Sequence, residues 1–310
     1  MQSQLKRYLL AFSMLLGFVL SAPAAGQTYT TIDYPGAVKT IATGINATGT
    51  IVGDFCVICK NGFEVLHGYI LSQGTFTQID FPGARSTRPL AINDGGSIVG
   101  HYWFPNQNGK THGFLFSNGV FSSIDFPGAT QTHAIGIDAA GDIFGGYCTS
   151  GKSCYNPGNS VHGYQLSAGV FTVIDFPGAI FTEVWGKDSD GQIAGRYQDA
   201  SGLFHVFLLS HGSFTSIDFP GAAETAPSWY APDGGFDANS DIATTYCAAE
   251  PCANPSSSTH GFLLSGGVYT TIDFPGALAT LGAAVNSSEY VVGIYFDSVG
   301  GGVHGYLRTP

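Results

Sequence analysis

The chain has 310 residues, of which 44 are glycine, 15 are proline and only 11% are charged. Coiled coils and helical bundles need runs of Ala, Leu, Glu, Lys and Arg, which are missing here, and a net charge of −11 argues against a nucleic-acid partner. With 44% hydrophobic residues the chain can bury a sizeable core, which excludes intrinsic disorder. The composition therefore favours an all-β protein.

The N-terminus has the pattern of a secretory signal peptide. Lys6 and Arg7 precede an apolar run over Tyr8 to Leu20, and small residues follow in an A-x-A arrangement. The run is about 13 residues long, which is short for a bilayer span, so a retained anchor is the alternative. We predict a signal peptide over residues 1–26, a secreted (periplasmic or extracellular) mature chain, and no membrane span after cleavage.

Six copies of one unit fill the mature chain. The hexapeptide I-D-[FY]-P-G-A recurs at intervals of 43 to 55 residues, beginning at Ile32, Ile79, Ile124, Ile174, Ile217 and Ile272. A threonine follows each copy, then a G-I-N-x-x-G-x-I-V-G-x-Y segment and a second motif, H-[GV]-[FY]. A period of this length, with about four strands per unit, is the signature of a β-propeller.

Each unit is predicted to contain four strands, A to D. Strand A runs from the threonine into G-I-N, a polar turn leads to strand B (x-I-V-G-x-Y), and strands C and D are H-G-F-L-x-S and F-T-x-I-D-F. Pro-Gly ends strand D, because proline removes a ladder donor. The mature chain starts with a lone strand D and ends with a lone strand C. We therefore predict an all-β, six-bladed β-propeller over residues 27–310, closed by pairing of the terminal strands.

The spacing between the repeat histidine and the repeat aspartate sets the C–D register. It is 13 residues in all five intact copies, with a glycine at the second of the two central positions, which suits a two-residue hairpin. Each histidine then lies across from its aspartate. The predicted pairs are His67–Asp80, His112–Asp125, His162–Asp175, His205–Asp218, His260–Asp273 and His304–Asp33. Because they recur in every unit, we interpret them as buried structural pairs and not as catalytic dyads.

The cysteines form three local pairs in the B–C connections of the first, third and fifth units. The pairs are Cys56/Cys59, Cys148/Cys154 and Cys247/Cys252. In a secreted chain such pairs predict small-loop disulfides, although the oxidation of the C-x-x-C pair stays open. Zinc needs four convergent ligands, so we predict neither a metal site nor a cofactor.

In a propeller the D–A and B–C connections share one rim, here called the loop-rich rim, and the A–B and C–D turns share the other, the short-turn rim. The loop-rich rim carries the long, disulfide-bearing loops, so we expect the functional face there. The short-turn rim carries compact turns throughout.

Charged residues that the repeat does not require point to the same face. One position after the repeated threonine, neighbouring units carry Arg88, His133 and Glu183, and just after the strand B glycine stand His101 and Arg196. Aromatic residues lie nearby in register or in an insertion in the fifth unit: Trp103, Trp185, Trp229 and Tyr230. A polar cluster flanked by aromatics suits a sugar-like or peptide-like ligand, although these residues can equally be solvated loop ends.

The repeat resembles the HAF-repeat family of extracellular repeat proteins. Residues 67–69, 112–114 and 91–100 match that family's H-A-F-L strand and its A-x-G-I-N-x-x-G-x-V-V-G segment. The chain departs from the family in having Gly after the histidine and I-D-F-P-G-A in place of L-G-x-L-G-G. The resemblance covers essentially the whole mature chain and implies a propeller-like repeat fold, with no established activity.

Three functions stay open. The leading hypothesis is a monomeric binding module that holds a glycan, peptide or protein ligand on the loop-rich rim near the central channel. The alternative is a polysaccharide hydrolase or lyase at the same channel mouth, with Glu183 or His133 as the general acid/base and an arginine neutralising a substrate carboxylate. The third is a structural envelope or matrix protein. The sequence has neither a G-x-S-x-G elbow nor an H-E-x-x-H motif, so no enzyme activity is assigned.

Overall fold

The computed structural model describes residues 26–60, 63–105, 110–149, 154, 160–227, 234–249, 252, 257–297 and 301–310. Within these ranges the chain is all-β, with 27 strands and no helix. Consequently, no described segment is a helix that could cross a membrane. The strands form successive antiparallel units in a propeller-like arrangement. Most of the predicted signal peptide, and both Trp229 and Tyr230, lie outside the described residues.

The first three complete units follow a single leading strand, and each contains strands A to D in order. The leading strand is β1 (Thr28–Ile32). Unit 1 contains β2 (Lys39–Ile45), β3 (Ile51–Cys56), the short pair β4 (Cys59–Lys60) and β5 (Phe63–Glu64), β6 (His67–Ser72) and β7 (Thr75–Ile79). Unit 2 contains β8 (Ser86–Ile92), β9 (Ile98–Trp103), β10 (Thr111–Ser117) and β11 (Val120–Ile124). Unit 3 contains β12 (Gln131–Ile137), β13 (Ile143–Cys148), β14 (His162–Ser167) and β15 (Val170–Ile174).

The remaining units repeat this order, with a divided strand A in unit 5. Unit 4 contains β16 (Phe181–Lys187), β17 (Ile193–Gln198), β18 (Phe204–Ser210) and β19 (Ser213–Ile217). Unit 5 contains β20 (Glu224–Thr225), β21 (Gly235–Phe236), β22 (Ile242–Cys247), β23 (Thr259–Ser265) and β24 (Val268–Ile272). Unit 6 contains β25 (Ala279–Val285), β26 (Val291–Phe296) and β27 (Val303–Thr309).

The two ends of the chain meet in one sheet. β1 pairs antiparallel with β27 over its whole length, from Thr28 opposite Thr309 to Ile32 opposite Gly305. It therefore supplies the fourth strand of unit 6. A single parallel bridge from Lys39 to Val303 joins this unit to unit 1.

The C–D hairpins of units 1 to 5 have two-residue turns. In unit 2, Ser117 pairs with Val120, so only two residues lie in the turn. Both turn residues have positive φ in every one of these hairpins, which is the type I′ geometry that matches the twist of the flanking strands. The turns are Gln73-Gly74, Asn118-Gly119, Ala168-Gly169, His211-Gly212 and Gly266-Gly267. The predicted C–D register is therefore confirmed.

A β-bulge interrupts the A–B strand pair in units 1 to 4 and 6, and adds one residue to strand A. The bulged residues are Thr43, Leu90, Ile135, Trp185 and Ala283. Leu90, Ile135 and Trp185 belong to one buried apolar cluster with Ala226 of unit 5. The core therefore includes a contact between four units at their inner strands.

The strand B glycine of the repeat is required by this inner strand pair. In unit 2, a Cβ at Gly100 would overlap the carbonyl oxygen of Arg88, and the same clash recurs in units 1, 3, 4 and 6. Unit 5 has Thr244 at this position, and there strand A breaks after Thr225, with Ala226 at a φ of 57°. The one unit without the glycine is thus the one whose inner strand is divided.

We expect Gly100→Ala to lower the free energy of unfolding by about 2–3 kcal/mol, because the added methyl group overlaps backbone that cannot move away. Gly95→Ala is the matched control, since its Cβ would come no closer than 3.4 Å to Asn93 Oδ1. The control should change stability by less than about 0.5 kcal/mol. Denaturant unfolding of both variants measures the difference, and equal stabilities would contradict the steric explanation.

Candidate functional site

Stacked aromatic rings join each unit to the next. Phe81, from the hexapeptide after unit 1, lies 3.6 Å from Tyr102 of unit 2 between ring centroids, with 6° between the planes. The other stacked pairs have centroid separations of 3.6 to 3.8 Å and are Tyr34–Phe55, Phe126–Tyr147, Phe176–Tyr197, Phe219–Tyr246 and Phe274–Tyr295. The recurring hexapeptide thus places one ring on each following strand B.

The repeat histidines extend this contact into each unit. The His112 ring lies 5.3 Å from Tyr102, and its Nδ1 is 2.7 Å from Asp125 Oδ1. All the predicted pairs have an Nδ1–carboxylate distance of 2.7 to 3.0 Å: His67–Asp80, His112–Asp125, His162–Asp175, His205–Asp218, His260–Asp273 and His304–Asp33. Together with the stacked rings they form a contact chain that we call the girdle.

The interpretation of these pairs as buried is wrong. The histidine side chains are 12–36% exposed and the aspartates 34–55% exposed. The histidines lie at or near the start of strand C, and the aspartates directly follow strand D. A hydrogen bond in this setting contributes less than one in the core.

The repeated threonine completes the joint. Thr87 Oγ1 accepts a hydrogen bond of 2.9 Å from the backbone N–H of Phe81, which fixes the chain at the residue that carries the stacked ring. The same bond occurs at Thr40, Thr132, Thr182, Thr225 and Thr280, with distances of 2.9 to 3.1 Å. These threonines are buried.

The three predicted disulfides are formed. Cys56–Cys59, Cys148–Cys154 and Cys247–Cys252 have Cα–Cα distances of 5.5 to 5.9 Å. They lie in the B–C connections of alternate units, on the loop-rich rim. Three disulfides in one chain are typical of an oxidising, extracellular environment.

Four of the five candidate polar residues are buried, whereas Arg88 is 25% exposed, and the candidates lie next to one another in pairs. Arg88 Nε donates a hydrogen bond of 3.1 Å to Oδ2 of Asp54, which belongs to unit 1 and is fully buried. Arg88 also lies opposite His101 in the A–B strand pair of unit 2. The sequence analysis did not select Asp54, although it occupies the position equivalent to His101 and Arg196. Asp54 is acidic at a position where units 2 and 4 carry His101 and Arg196, and this difference is the sequence signal that could have identified it.

Two of the candidate histidines contact each other between units 2 and 3. The rings of His101 and His133 are 4.7 Å apart, and both residues are buried. Burial lowers the pKa of His101 well below 6.5, and the neighbouring His133 and Arg88 cation lower it further. His101 is therefore neutral at physiological pH.

The last two candidates form an ion pair inside unit 4. Arg196 donates through Nε and Nη2 to Glu183 Oε2, at 2.8 and 2.6 Å, and the two residues are 2% and 1% exposed. The guanidinium also lies 5.4 Å from the Phe181 ring centroid and 5.5 Å from that of Phe204. We call the six side chains Asp54, Arg88, His101, His133, Glu183 and Arg196 the polar belt. A carboxylate held in this way lacks the solvent and substrate access that general acid/base catalysis needs.

The two candidate tryptophans that the structure describes, Trp103 and Trp185, lie at opposite rims. Trp103 is half-buried at the end of strand B, with its ring 6.1 Å from that of His101, so it borders the polar belt on the loop-rich rim. Trp185 does not border the polar belt. It is the bulged residue of unit 4 and lines a cavity at the short-turn rim. Its predicted place on the loop-rich rim is therefore wrong.

The A–B turns contain a feature that the sequence analysis missed. The asparagine of G-I-N bonds across the boundary between units: Asn46 Nδ2 donates to Asn93 O, Asn93 Nδ2 to Asp138 O, and Asn286 Nδ2 to Asn46 O, at 2.9 to 3.3 Å. The side-chain oxygen of each residue accepts backbone N–H bonds within its own turn. These contacts connect unit 6 to unit 1 and continue to unit 3.

Other polar groups connect the remaining units at this rim. Lys187 Nζ of unit 4 lies 3.1 Å from Asp138 Oδ2 of unit 3. Ser240 Oγ of unit 5 donates to Asp188 Oδ2 of unit 4 at 2.6 Å, and Asn239 Nδ2 of unit 5 donates to Ser287 O of unit 6 at 3.4 Å. We call the whole set of bonds the turn ring. A cavity of about 140 Å³ lies inside it, lined by residues of all six units.

We expect His112→Ala to lower the free energy of unfolding by about 1 kcal/mol, because it removes a half-exposed hydrogen bond together with a ring contact. His112→Phe keeps a ring beside Tyr102 and should cost less. Thermal and denaturant unfolding compare the two variants. Because both variants lack the hydrogen bond, an equal or larger loss in the phenylalanine variant would contradict a stabilising ring contact.

The free energy of unfolding should fall on acidification, partly through His101. Its folded pKa is lowered, so below about pH 6.5 the unfolded chain takes up a proton that the folded protein excludes, at up to about 1.4 kcal/mol per pH unit. We expect the wild type to lose more stability than His101→Gln between about pH 7.5 and 5.5. His211→Gln, in an exposed hairpin turn, is the control and should behave as the wild type. An unchanged pH slope in His101→Gln would contradict this assignment.

No protein-family model and no curated protein sequence matches the chain. Among solved structures, a protein of unknown function from Dyadobacter fermentans has a TM-score of 0.55 at 11% identity, over 92% of this chain and 99% of that one. A point mutant of the Aleuria aurantia lectin in complex with Fucα1-6GlcNAc has a TM-score of 0.51 at 12% identity, over 90% and 93%. The β-propeller domain of the Trilobed protease from Pyrococcus furiosus has a TM-score of 0.50 at 11% identity, over 86% and 78%. At these identities the likeness shows the fold alone, which is propeller-like.

Proposed function

We propose that this chain is a secreted binding module built on a single, closed, six-bladed β-propeller, with its ligand on the loop-rich rim near the central channel. Closure of the ring is supported by the pairing of β1 with β27. It is also supported by the bond between His304 and Asp33 and by the Asn286 amide on Asn46, both of which connect the two ends of the chain. The girdle and the turn ring then run through every unit.

The repeat motifs support placing this propeller with the HAF-repeat proteins. The H-[GV]-[FY] and G-I-N-x-x-G segments carry the likeness, and in this chain they form strand C and the turn between strands A and B. The six-residue motif that departs from that family provides the stacked ring of the girdle. The departure therefore changes the joint between units and leaves the order of strands intact.

The observation that carries the choice of rim is the loss of repetition there. The short-turn rim repeats one turn around the molecule, whereas the loop-rich rim has three disulfide-closed loops in alternate units. The first of these loops presents Val57 and Ile58, which are 48% and 64% exposed. Loops that differ between otherwise equal units, held rigid by disulfides, are suited to specific recognition.

The hydrolase or lyase alternative receives no comparable support. Glu183 is its acid/base candidate, and the carboxylate is held by Arg196 in a buried ion pair. Arg88, its candidate for a substrate carboxylate, contacts Asp54 instead. Both arrangements fit a scaffold role better than catalysis, because breaking either pair would leave a buried charge.

A glycan is the ligand class that we put first. The Aleuria aurantia lectin, which has a similar fold, is described in complex with Fucα1-6GlcNAc. In this chain, Trp103 offers a half-buried aromatic face on the loop-rich rim, and such faces pack against the apolar side of sugar rings. The acidic chain, with a net charge of −11, suits neutral or cationic ligands better than polyanions.

The mature chain, applied to glycan and peptide arrays, tests this proposal. We expect a glycan signal that Trp103→Ala weakens by about tenfold or more, because the variant loses the aromatic face. Val170→Ala, on the short-turn rim, should bind as the wild type does, and both variants should keep the wild-type melting temperature. Binding that is lost only in Val170→Ala would move the site to the other rim. An absence of any ligand on both arrays would favour the structural role.

A further inference from the structure

Unit 2 places a cation, an aromatic ring and a second cation at the ends of three neighbouring strands on the loop-rich rim. Trp103 is the last residue of strand B, and its Cα partners are Ser86 at the start of strand A and Thr111 at the start of strand C. Arg85 and Lys110 directly precede these two partners. Because adjacent strands lie about 4.8 Å apart, the two basic residues stand on either side of Trp103, with about 10 Å between their backbones.

Unit 2 alone has charged residues at these strand ends. At the position of Arg85 the other units have Val38, Thr130, Ile180, Ala223 and Leu278. At the position of Lys110 they have Val65, Ser160, Leu203, Ser258 and Gly302, and at the position of Trp103 three disulfide cysteines, Gln198 and Phe296. The repeat therefore forms its strands without either cation, and the presence of both in unit 2 points to a role at the surface.

Both cations are accessible to solvent, and the backbone that carries Arg85 is fixed. Lys110 is exposed and Arg85 is half-buried. The N–H of Arg85 donates to Trp103 O at 2.9 Å, and the buried Ser86 Oγ accepts the N–H of Leu66 in unit 1 at 3.0 Å. Because paired strand ends hold side chains more precisely than long loops do, this part of the rim is suited to binding a small polar group.

The local charge favours an anion, although the whole chain is acidic. The acidic residues of units 1 and 2 on this rim are each bound to a basic side chain, in the pairs Asp54–Arg88, Glu64–Lys39, Asp80–His67 and Asp125–His112. The net charge of −11 disfavours a polyanion, but a single carboxylate mainly senses charges within about 10 Å at 0.1 M salt. A carboxylate beside Trp103 would therefore meet the excess positive charge of Arg85 and Lys110.

We propose that the glycan bound at this rim carries a carboxylate, as a uronic acid does. The inference rests on the proposed glycan-binding function and names the class of sugar. The Trp103 ring packs against the apolar side of the sugar, and the carboxylate binds between Arg85 and Lys110. Arg85 provides the geometric specificity, because a guanidinium donates two parallel hydrogen bonds to a carboxylate, whereas Lys110 contributes a point charge.

An array of matched glycans tests this inference. It holds oligosaccharides of glucuronic, galacturonic and mannuronic acid, each beside its methyl ester, which keeps the sugar ring and removes the charge, together with neutral glycans. We expect the acid form of at least one pair to bind about tenfold or more tightly than its ester. Equal binding of acid and ester, or binding confined to neutral glycans, would overturn the inference and leave the glycan function in place. Binding to no glycan at all would overturn both.

Titration of the strongest acidic ligand then separates a specific site from general attraction. Arg85→Gln and Lys110→Gln should each weaken binding of the acid by about fivefold or more and change binding of the methyl ester by less than about twofold, whereas Trp103→Ala should weaken both. Lys39→Gln is the matched control, because it removes the same charge from unit 1 on the same rim, and it should leave binding of the acid within about twofold of the wild type. Melting temperatures show that each variant is folded. Equal losses in Lys39→Gln, Arg85→Gln and Lys110→Gln, or wild-type binding of the acid by both unit 2 variants, would overturn the proposal.

Discussion

The stack of one hexapeptide ring on the strand B ring of the next unit is the contact on which the rest of the structure depends. A single unit of about 47 residues has two sheet faces and cannot bury both alone, so it is stable only against neighbours. The Pro-Gly turn directs the chain into the joint, Thr87 Oγ1 fixes the N–H of Phe81, and the Tyr102 ring receives the stack on one side and His112 on the other. Each element of the repeat motif therefore serves the same joint.

The joints between units are alike, whereas other parts of the units differ in sequence. Several of these differences occur together in unit 5. Thr244 replaces the strand B glycine only in unit 5, and in the same unit strand A divides and six residues are inserted between Thr225 and Asp237 relative to unit 4. Gly234 follows the insertion, and a Cβ there would lie 2.9 Å from the Trp185 ring of unit 4, so the two departures from the repeat meet at one place. Asymmetry at the short-turn rim is thus concentrated in units 4 and 5.

Much of the fold could be predicted because the repeat reports long-range geometry through short-range spacing. A constant His-to-Asp separation determined the hairpin register, and paired cysteines in a secreted context predicted the disulfides. Trp185 was misplaced because it stands late in strand A of unit 4, which runs from the loop-rich rim to the A–B turn. Hydrophobic periodicity also does not report the bulge at this residue. The turn ring was missed because an Asn46 amide that bonds to Asn93, 47 residues away, has the same sequence signature as an ordinary turn residue.

The polar belt makes contacts between neighbouring units that differ from one boundary to the next, which the girdle does not. Identical girdle contacts do not distinguish one neighbour from another, whereas the belt differs at successive boundaries. Units 1 and 2 meet through Asp54 and Arg88, and units 2 and 3 through His101 and His133. At the next boundary Gly146 leaves room for Glu183, since a Cβ there would lie 3.0 Å from Glu183 Cγ. Buried ion pairs contribute little net stability compared with apolar residues, but a mismatched pair would leave an uncompensated charge in the core. The belt therefore makes the first three boundaries between units chemically different from one another, and a mismatched contact at any of them would be penalised.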